Sequence, residues 1–425
     1  MIKILRYLLL RYFCLGKKDS MLFNKYDNNH LDFSRINNLY IHIPFCKNIC
    51  PYCPYFREEY SPHKAKDFSL SLIKEIKLHK KNIEGKIIDS LYIGGGSPTL
   101  LLNTLIEAID LLKSICTIRN IAIETNPEDL TEEILTALKN MKCNLISIGI
   151  QDFHQQHLKA IGRNYDAITA LKAIKKAKKH NFDTVNIDII FAIPGQTLNE
   201  LNESLNKAIN SKADQITTYP LFTFPYSSIG KFKKLNKVKS PNSFVRRKFY
   251  FHICDTLVKN GYQQISVWSF IKNSQHKYSS VTRNYYLGLG PSAATYTGKH
   301  FLFNVFDIST YQNKIHSSKL PYSLIMNVSI NMEKLYWLYW RLYETKIPIL
   351  EYKSLFSSDL LTDYKLFFVL LRVFRYARFD KEFIYINNNG IHYIHLIQNY
   401  FSLNFINKVW SQNYNNPNPL GIDLK

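Results

Sequence analysis

Three cysteines, Cys46, Cys50 and Cys53, crowd into eight residues of the stretch IHIPFCKNICPYC (residues 41–53). A disulfide scaffold, a zinc site and an iron–sulfur cluster would each use thiols at this density. The rest of the seven cysteines, Cys14, Cys116, Cys143 and Cys254, are scattered singly through 425 residues. Secreted disulfide scaffolds are far denser in cysteine, so the pattern suits a reducing cytoplasm, where crowded thiols serve metal or redox chemistry. The C-x3-C-x2-C spacing places three thiolates on one tight loop directly after an apolar run. Iron–sulfur cubanes ordinarily take four cysteines, yet Pro54 and Tyr55 follow Cys53, and the next thiol is Cys116. Three thiolates leave one iron with an open position, which a metal needs in order to meet a substrate directly. Zinc with His42 as fourth ligand is the structural alternative, although no second ligand knuckle exists. Inert thiols are the third reading. The spacing favours the cluster and leaves the other two open.

Regular elements must hold that loop in place. From about Asn38, apolar β-type runs alternate with amphipathic helical stretches. The strands read LYIHI (39–43), DSLYIGG (89–95), IAIET (121–125), LISIGI (145–150), TVNIDIIF (184–191) and QITTYPL (215–221). Most are apolar on both faces, as expected of strands covered by helices outside and a packed interior inside. Helical patterns lie between them, for example at 67–81, 101–115 and 130–141, and turn signals such as GGGSPT, NPEDL and IPGQT close the strands. Six β–α repeats predict an α/β fold with a parallel sheet curled into a partial or complete barrel. Chemistry in such folds sits at the C-terminal strand ends.

Beyond Ser240 the rhythm changes. A helix is expected over 242–262, then a glycine-punctuated segment over 278–297. From about Pro321 the chain reads as helical and aromatic, as in EKLYWLYWRLYE (333–344), and FIYINNNGIHYI (383–394) predicts a hairpin around Asn-Gly. Helices with a hairpin point to a small winged-helix-like appendage, whose aromatic stripe reads as core.

Lys and Arg number 55 against 33 Asp and Glu, a formal charge of +22. The lysines are spread along helix faces, as in LKAIKKAKKH (171–180) and KFKKLNKVKS (231–240), without an Arg-rich arm or a nucleic-acid-binding motif. The expectation is a solvated basic surface and no nucleic-acid partner, a multi-carboxylate substrate or an acidic redox partner being the alternatives. In the opening MIKILRYLLLRYFCLGKKDS (1–20), Lys3, Arg6 and Arg11 break an apolar run too short to span a bilayer. It lacks a small-residue cleavage site, so an amphipathic helix packed on the fold is expected, with Met21 as an alternative start. No transmembrane segment is expected, and the location is expected to be cytoplasmic.

The cysteine stretch resembles the radical SAM superfamily, specifically the branch holding oxygen-independent coproporphyrinogen III oxidase and the related heme chaperone. The resemblance continues through GGGSPT (94–99), ETNPEDL (124–130), SIGIQDF (147–153), IGRN (161–164), NIDIIFAIPGQT (186–197) and YLGLGPSA (286–293), in family order. It implies an N-terminal extension over 1–35, a partial (β/α)6 barrel with a family-specific extension over 36–300, and a C-terminal helical, winged-helix-like domain over 321–425.

It also implies that Cys46, Cys50 and Cys53 hold a 4Fe–4S cluster whose open iron is chelated by S-adenosylmethionine. One-electron reduction then yields methionine and a 5′-deoxyadenosyl radical. On this reading Gly95 and Gly96 let the backbone approach the cofactor's amino end and Ser97 adds a hydroxyl. Glu124 accepts from ribose hydroxyls, and Tyr40 and Tyr52 flank the cluster loop and pack on the cofactor. Gln151, Arg163 and Asp188 match positions that contact a second S-adenosylmethionine in the oxidase; Phe222 falls at another, with a different residue type. The bland readings are that Glu124 caps a helix and that Arg163 and Asp188 form a structural ion pair. A tetrapyrrole or similar small molecule is the implied substrate, and a flavodoxin- or ferredoxin-type protein the implied electron donor.

The chain also departs from the family. The oxidase carries a fourth cysteine two residues after the third, where Tyr55 stands here. The chaperone has a His-Asn…Tyr-Trp stretch where this chain reads KYSSVTRNYYLG (277–288). The expected activity is a radical SAM oxidoreductase resembling coproporphyrinogen III oxidase. A two-SAM methyltransferase, a porphyrin-ring-opening enzyme and a heme chaperone are the alternatives.

Overall fold

The computed structural model describes residues 21–27, 30–224, 226–230, 241–272, 276–279 and 284–424. The opening segment 1–20, with Cys14 and the expected amphipathic helix, and the lysine-rich stretch 231–240 lie outside the described residues.

Six strands carry the barrel: β1 (Asn38–Ile43), β2 (Ser90–Gly95), β3 (Ile121–Thr125), β4 (Leu145–Gln151), β5 (Thr184–Phe191) and β6 (Gln215–Pro220). Each pairs in parallel with the next, in chain order. Every residue of β4 is buried, which is why these strands read as unbroken apolar runs rather than alternating ones. Helices α1 (Pro62–Leu78), α2 (Leu102–Ile115), α3 (Glu132–Asn140), α4 (Ala167–Lys179), α5 (Leu198–Asn210) and α6 (Ser243–Lys259) follow the strands. Their starts are written locally. Thr131, Asp166 and Thr197 each accept a backbone N–H at the N-terminus of α3, α4 and α5, and Glu200 completes a capping box on the last. Such a cap contributes about 1 kcal/mol and fixes where the strand-end loop stops.

The parallel sheet does not close on itself. Tyr286–Leu289 pairs in parallel with the other side of β1. Beyond it come the antiparallel strands Ala294–Tyr296, His300–Asn304, Tyr322–Asn327, Leu22–Lys25 and Gly421–Asp423, completing a 14-stranded sheet. At the opposite edge Ser269–Ile271 runs antiparallel to β6. The result is an open partial barrel, as expected, extended by strands from both ends of the described chain.

The C-terminal region holds the helices Ile330–Tyr343, Ile349–Phe356 and Lys365–Val373, a three-stranded antiparallel sheet, and a long helix Asn388–Asn415. The hairpin expected at 383–394 is displaced. The Asn387 side chain accepts from Gly390 N at 3.0 Å and starts the long helix. An Asn that can cap competes with the Asn-Gly turn, and here the cap wins. The hairpin lies one strand earlier, between Ala377–Phe379 and Phe383–Ile386. There the Asp380 carboxylate accepts from the Glu382 and Phe383 N–H groups at 2.9 and 2.6 Å. The aromatic stripe divides: Trp337 packs on Tyr352 in the core with centroids 5.2 Å apart, whereas Tyr339, Trp340 and Tyr343 line a cavity.

Candidate cofactor site

The cysteine loop leaves the C-terminal end of β1. Phe45–Cys46 pairs with Glu58–Glu59, Glu58 N donates to Pro44 O at 2.6 Å and Tyr60 N to Cys46 O at 2.9 Å. The loop is thus pinched at its base. Within it Cys53 N donates to Cys50 O at 3.3 Å, closing a tight turn between these two cysteines. Cys50 is buried, and Cys46 and Cys53 are half-buried. Burial, with help from the other two thiols, pushes Cys46 up to about 12, and burial raises Cys53 as well. Uncompensated by a metal, these thiols would stay protonated.

His42 does not join them. A carbonyl can only accept, so the contact of His42 Nε2 with Phe56 O at 2.8 Å makes Nε2 the donor, leaving Nδ1 to accept from Tyr40 OH at 2.7 Å. Both ring nitrogens are used, and burial lowers the ring to about 4. A zinc ion could take His42 through Nδ1 only by displacing the Tyr40 hydroxyl. Among the described residues, no group of three His, Cys, Asp or Glu side chains gathers as for a single metal ion. Three thiols on one loop beside a cavity, with no fourth protein ligand among the described residues, suit a cluster with an open corner.

The glycine-rich loop after β2 packs against the cysteine loop. A Cβ on Gly96 would stand 2.3 Å from Phe45 O and 3.0 Å from Cys46 Sγ; one on Gly95 (φ +112°) would stand 2.8 Å from Ile43 O and from the His42 ring. Gly96 N and Ser97 N donate to Ile43 O and Phe45 O, both at 2.7 Å. These glycines therefore bring two loops together, a constraint beyond the cofactor approach for which the sequence singled them out.

The remaining expected residues line the same opening: Glu124 and Gln151 at strand ends, Asp188 within β5, Arg163 in the loop after the helix Gln155–Ala160, and Phe222 just beyond β6. At the end of β3, Glu124 accepts from Gly95 N at 3.1 Å through Oε2 and from the Tyr92 hydroxyl through Oε1. Tyr278 OH donates to Tyr92 OH at 2.6 Å, so two hydroxyls support the carboxylate, which does not cap a helix. Arg163 Nη2 donates to Tyr52 OH at 3.0 Å and Nη1 to Asn126 Oδ1 at 2.7 Å. Asp188 on β5 accepts from Ser147 Oγ at 3.1 Å and Asn186 Nδ2 at 2.9 Å, and burial raises it to about 6. It makes no ion pair with Arg163. Gln151 ends β4 with φ +63° and accepts from Tyr219 OH at 2.9 Å. The Phe222 ring lies 6.1 Å from that of Phe224.

One cavity of about 1310 Å³ is lined by Tyr40, Cys46, Cys50, Tyr52, Cys53, Gly95, Gly96, Ser97, Glu124, Gln151, Arg163, Asp188 and Phe222, every site residue expected from the sequence. Trp268, Tyr339, Trp340 and Tyr343 form an aromatic wall beyond them. The sequence reading missed Asn126, Tyr92, Tyr278 and Tyr219, which hold the expected residues in place. Asn126 lies inside the quoted stretch ETNPEDL, and its polar side chain directly after a strand end was the available signal.

A partial barrel with a three-cysteine loop at its β1 end defines the radical SAM class, and residues 40–208 match the Radical SAM superfamily. The chain is 32% identical over 295 residues to the heme chaperone HemW of Buchnera aphidicola subsp. Schizaphis graminum, covering 65% of this chain and 74% of that one. HemW of Bacillus subtilis is 28% identical over 296 residues, covering 68% and 78%. Anaerobilin synthase of Escherichia coli O157:H7 is 26% identical over 309 residues, covering 68% and 67%. The chain belongs to the HemN-like family of radical SAM proteins, to which these HemW relatives also lead. The solved coproporphyrinogen III oxidase HemN from Escherichia coli shares the fold, with a TM-score of 0.76 over 92% of this chain and 97% of that one, at 20% identity. The family typically binds a 4Fe–4S cluster and S-adenosylmethionine. Among the described residues, no helix is long and apolar enough to cross a membrane.

Proposed function

We propose that Cys46, Cys50 and Cys53 hold a 4Fe–4S cluster with S-adenosylmethionine at its open iron, and that the chain acts on a tetrapyrrole in the rest of the cavity. The observation that supports this is the gathering of all the expected residues on one cavity of about 1310 Å³. Pockets for a single small ligand run to about 1,000 Å³, so a cofactor and a flat substrate fit side by side. When bound, these groups supply one-electron cleavage of a sulfonium bond to methionine and a 5′-deoxyadenosyl radical, which takes hydrogen from a substrate.

The chain's own residues bind and orient. Glu124, fixed by Gly95 N and the Tyr92 hydroxyl, offers its carboxylate to ribose hydroxyls. Ser97 and the backbone of Gly95 and Gly96 meet the cofactor's amino end. Arg163 keeps a cation beside the cysteine loop, suited to a carboxylate. Gln151, Asp188 and Phe222 leave room for a second cofactor molecule or for substrate polar groups. The wall of Trp268, Tyr339, Trp340 and Tyr343 excludes water and stacks on a planar ring system. A net charge of +22 suits an acidic flavodoxin- or ferredoxin-type electron donor.

The HemW relatives favour a second reading, a heme chaperone that keeps the cluster without oxidase chemistry. One experiment separates them. Reconstituted protein, reduced by dithionite under nitrogen, is given S-adenosylmethionine with coproporphyrinogen III or heme, and products are followed by mass spectrometry. The oxidoreductase reading expects 5′-deoxyadenosine in step with tetrapyrrole conversion; methyl transfer adds S-adenosylhomocysteine. The chaperone reading expects one heme retained per chain and no converted product. Neither conversion nor heme binding would refute both.

A further inference from the structure

We infer that Arg57 sets the reduction potential of the cluster, its guanidinium being a fixed positive charge clamped onto the cysteine loop by two of that loop's own carbonyls. The inference rests on the proposal that Cys46, Cys50 and Cys53 hold a 4Fe–4S cluster. Arg57 Nη2 donates to Cys50 O and Nη1 to Tyr55 O, both at 2.7 Å. The planar fork therefore spans the segment carrying Cys50 and Cys53, a geometry that a lysine cannot reproduce. Its charge is not spent on the neighbouring carboxylate, because Glu58 pairs with Lys64 at 2.6 Å. Arg57 Nε is buried without a hydrogen-bond partner. From the far side, Tyr414 on the long C-terminal helix donates to the same Tyr55 carbonyl at 3.0 Å.

The two hydrogen bonds keep this cation on the segment that carries Cys50 and Cys53. Reduction adds one electron from a low-potential donor, makes or breaks no bond, and leaves the cluster one unit more negative. A nearby fixed cation stabilises that state, since net charge and surroundings set the potentials of such clusters. Arg57 is thus a positioning residue that makes reduction easier for the donor.

The test is a redox titration of reconstituted protein followed by electron paramagnetic resonance, with iron and sulfide measured on each sample. Arg57→Gln is expected to make reduction about tenfold less favourable, a fall of about 59 mV for a one-electron couple. Arg57→Lys keeps the charge and should fall between Arg57→Gln and wild type. Tyr414→Phe removes a bond to the same carbonyl without changing charge and should leave the potential in place. An unchanged potential in fully loaded Arg57→Gln overturns the inference and leaves the cluster reading standing. An equal shift in Tyr414→Phe also overturns it, because loop anchoring would then govern. Arg57→Met is the second neutral variant; failure of both neutral variants to load, while wild type loads, overturns it in favour of a purely structural anchor. Wild type without iron and sulfide overturns both.

Discussion

Asn126 joins two motifs that stand far apart in the sequence. Its Oδ1 accepts from Arg163 Nη1 at 2.7 Å, while its Nδ2 donates to Ser97 Oγ at 2.7 Å. Arg163 in turn reaches Tyr52 in the cysteine loop. One amide thus sets the spacing of the glycine-rich loop, the arginine and the cysteine loop.

Asn126→Ala should therefore weaken S-adenosylmethionine binding. Removing one partner of a hydrogen bond to a charged group costs about 1.5–3 kcal/mol, roughly tenfold or more in affinity. Calorimetric titration of the cofactor into the reconstituted variant measures it, and Asn126→Asp should recover part of the loss. Affinity equal to wild type would remove Asn126 from the account.

Gly96→Ala should reduce cluster content. The new Cβ would lie 2.3 Å from Phe45 O and 3.0 Å from Cys46 Sγ, so the cysteine loop has to move. Iron and sulfide per chain should fall well below wild type while far-ultraviolet circular dichroism is retained. Normal loading would show that the loop accommodates the methyl group without consequence.

Stability should fall with rising pH through Glu75. This carboxyl is fully buried and accepts from Tyr311 OH, Gly290 N and Asn304 Nδ2 at 2.6, 2.8 and 3.2 Å. Burial raises it to about 7 from an ordinary 4.5, with the three donors opposing the shift. The folded state then holds a proton that the unfolded state has released. The contribution is complete below about pH 4.5, declines as the pH climbs, and is lost by about pH 7. Comparing the Tm of wild type and Glu75→Gln from pH 4.5 to 8 checks this. The difference should move in favour of the variant up to about pH 7 and then level off. A difference independent of pH would contradict it.

Asp152 should be indispensable to the end of β4. Its side chain is completely buried and accepts from Phe153 N, His154 N, His157 Nδ1, Gln196 Nε2 and Ser204 Oγ at 2.6, 2.9, 2.9, 3.1 and 2.7 Å. Asp152→Ala leaves these donors without an acceptor, at a cost of about 3–5 kcal/mol in urea unfolding. Asp152→Asn should cost less. Equal, small effects for both would show that the network carries no stability.

The barrel strands were readable because burial on both faces leaves unbroken apolar runs, and the candidates Gly95, Glu124 and Gln151 fall at or next to the ends of those runs. The supporting shell was not. Tyr278 and Tyr92 meet across 186 positions and Asn126 and Arg163 across 37, and local periodicity carries no signal for such pairs. The antiparallel extension was equally hidden, since Leu22–Lys25 pairs with Gly421–Asp423 only once the whole sheet exists. Over 387–390 the local signal was present but ambiguous: Asn389-Gly390 suits a hairpin turn and Asn387 a helix cap, and the cap forms.

The central claim is that Cys46, Cys50 and Cys53 together anchor a cubane. Iron, zinc and acid-labile sulfide should be measured per chain in anaerobically isolated wild type and Cys50→Ala. About four irons and four sulfides in wild type, lost in the variant, is the predicted result. Stoichiometric zinc, or wild type devoid of sulfide after reconstitution, would contradict the account.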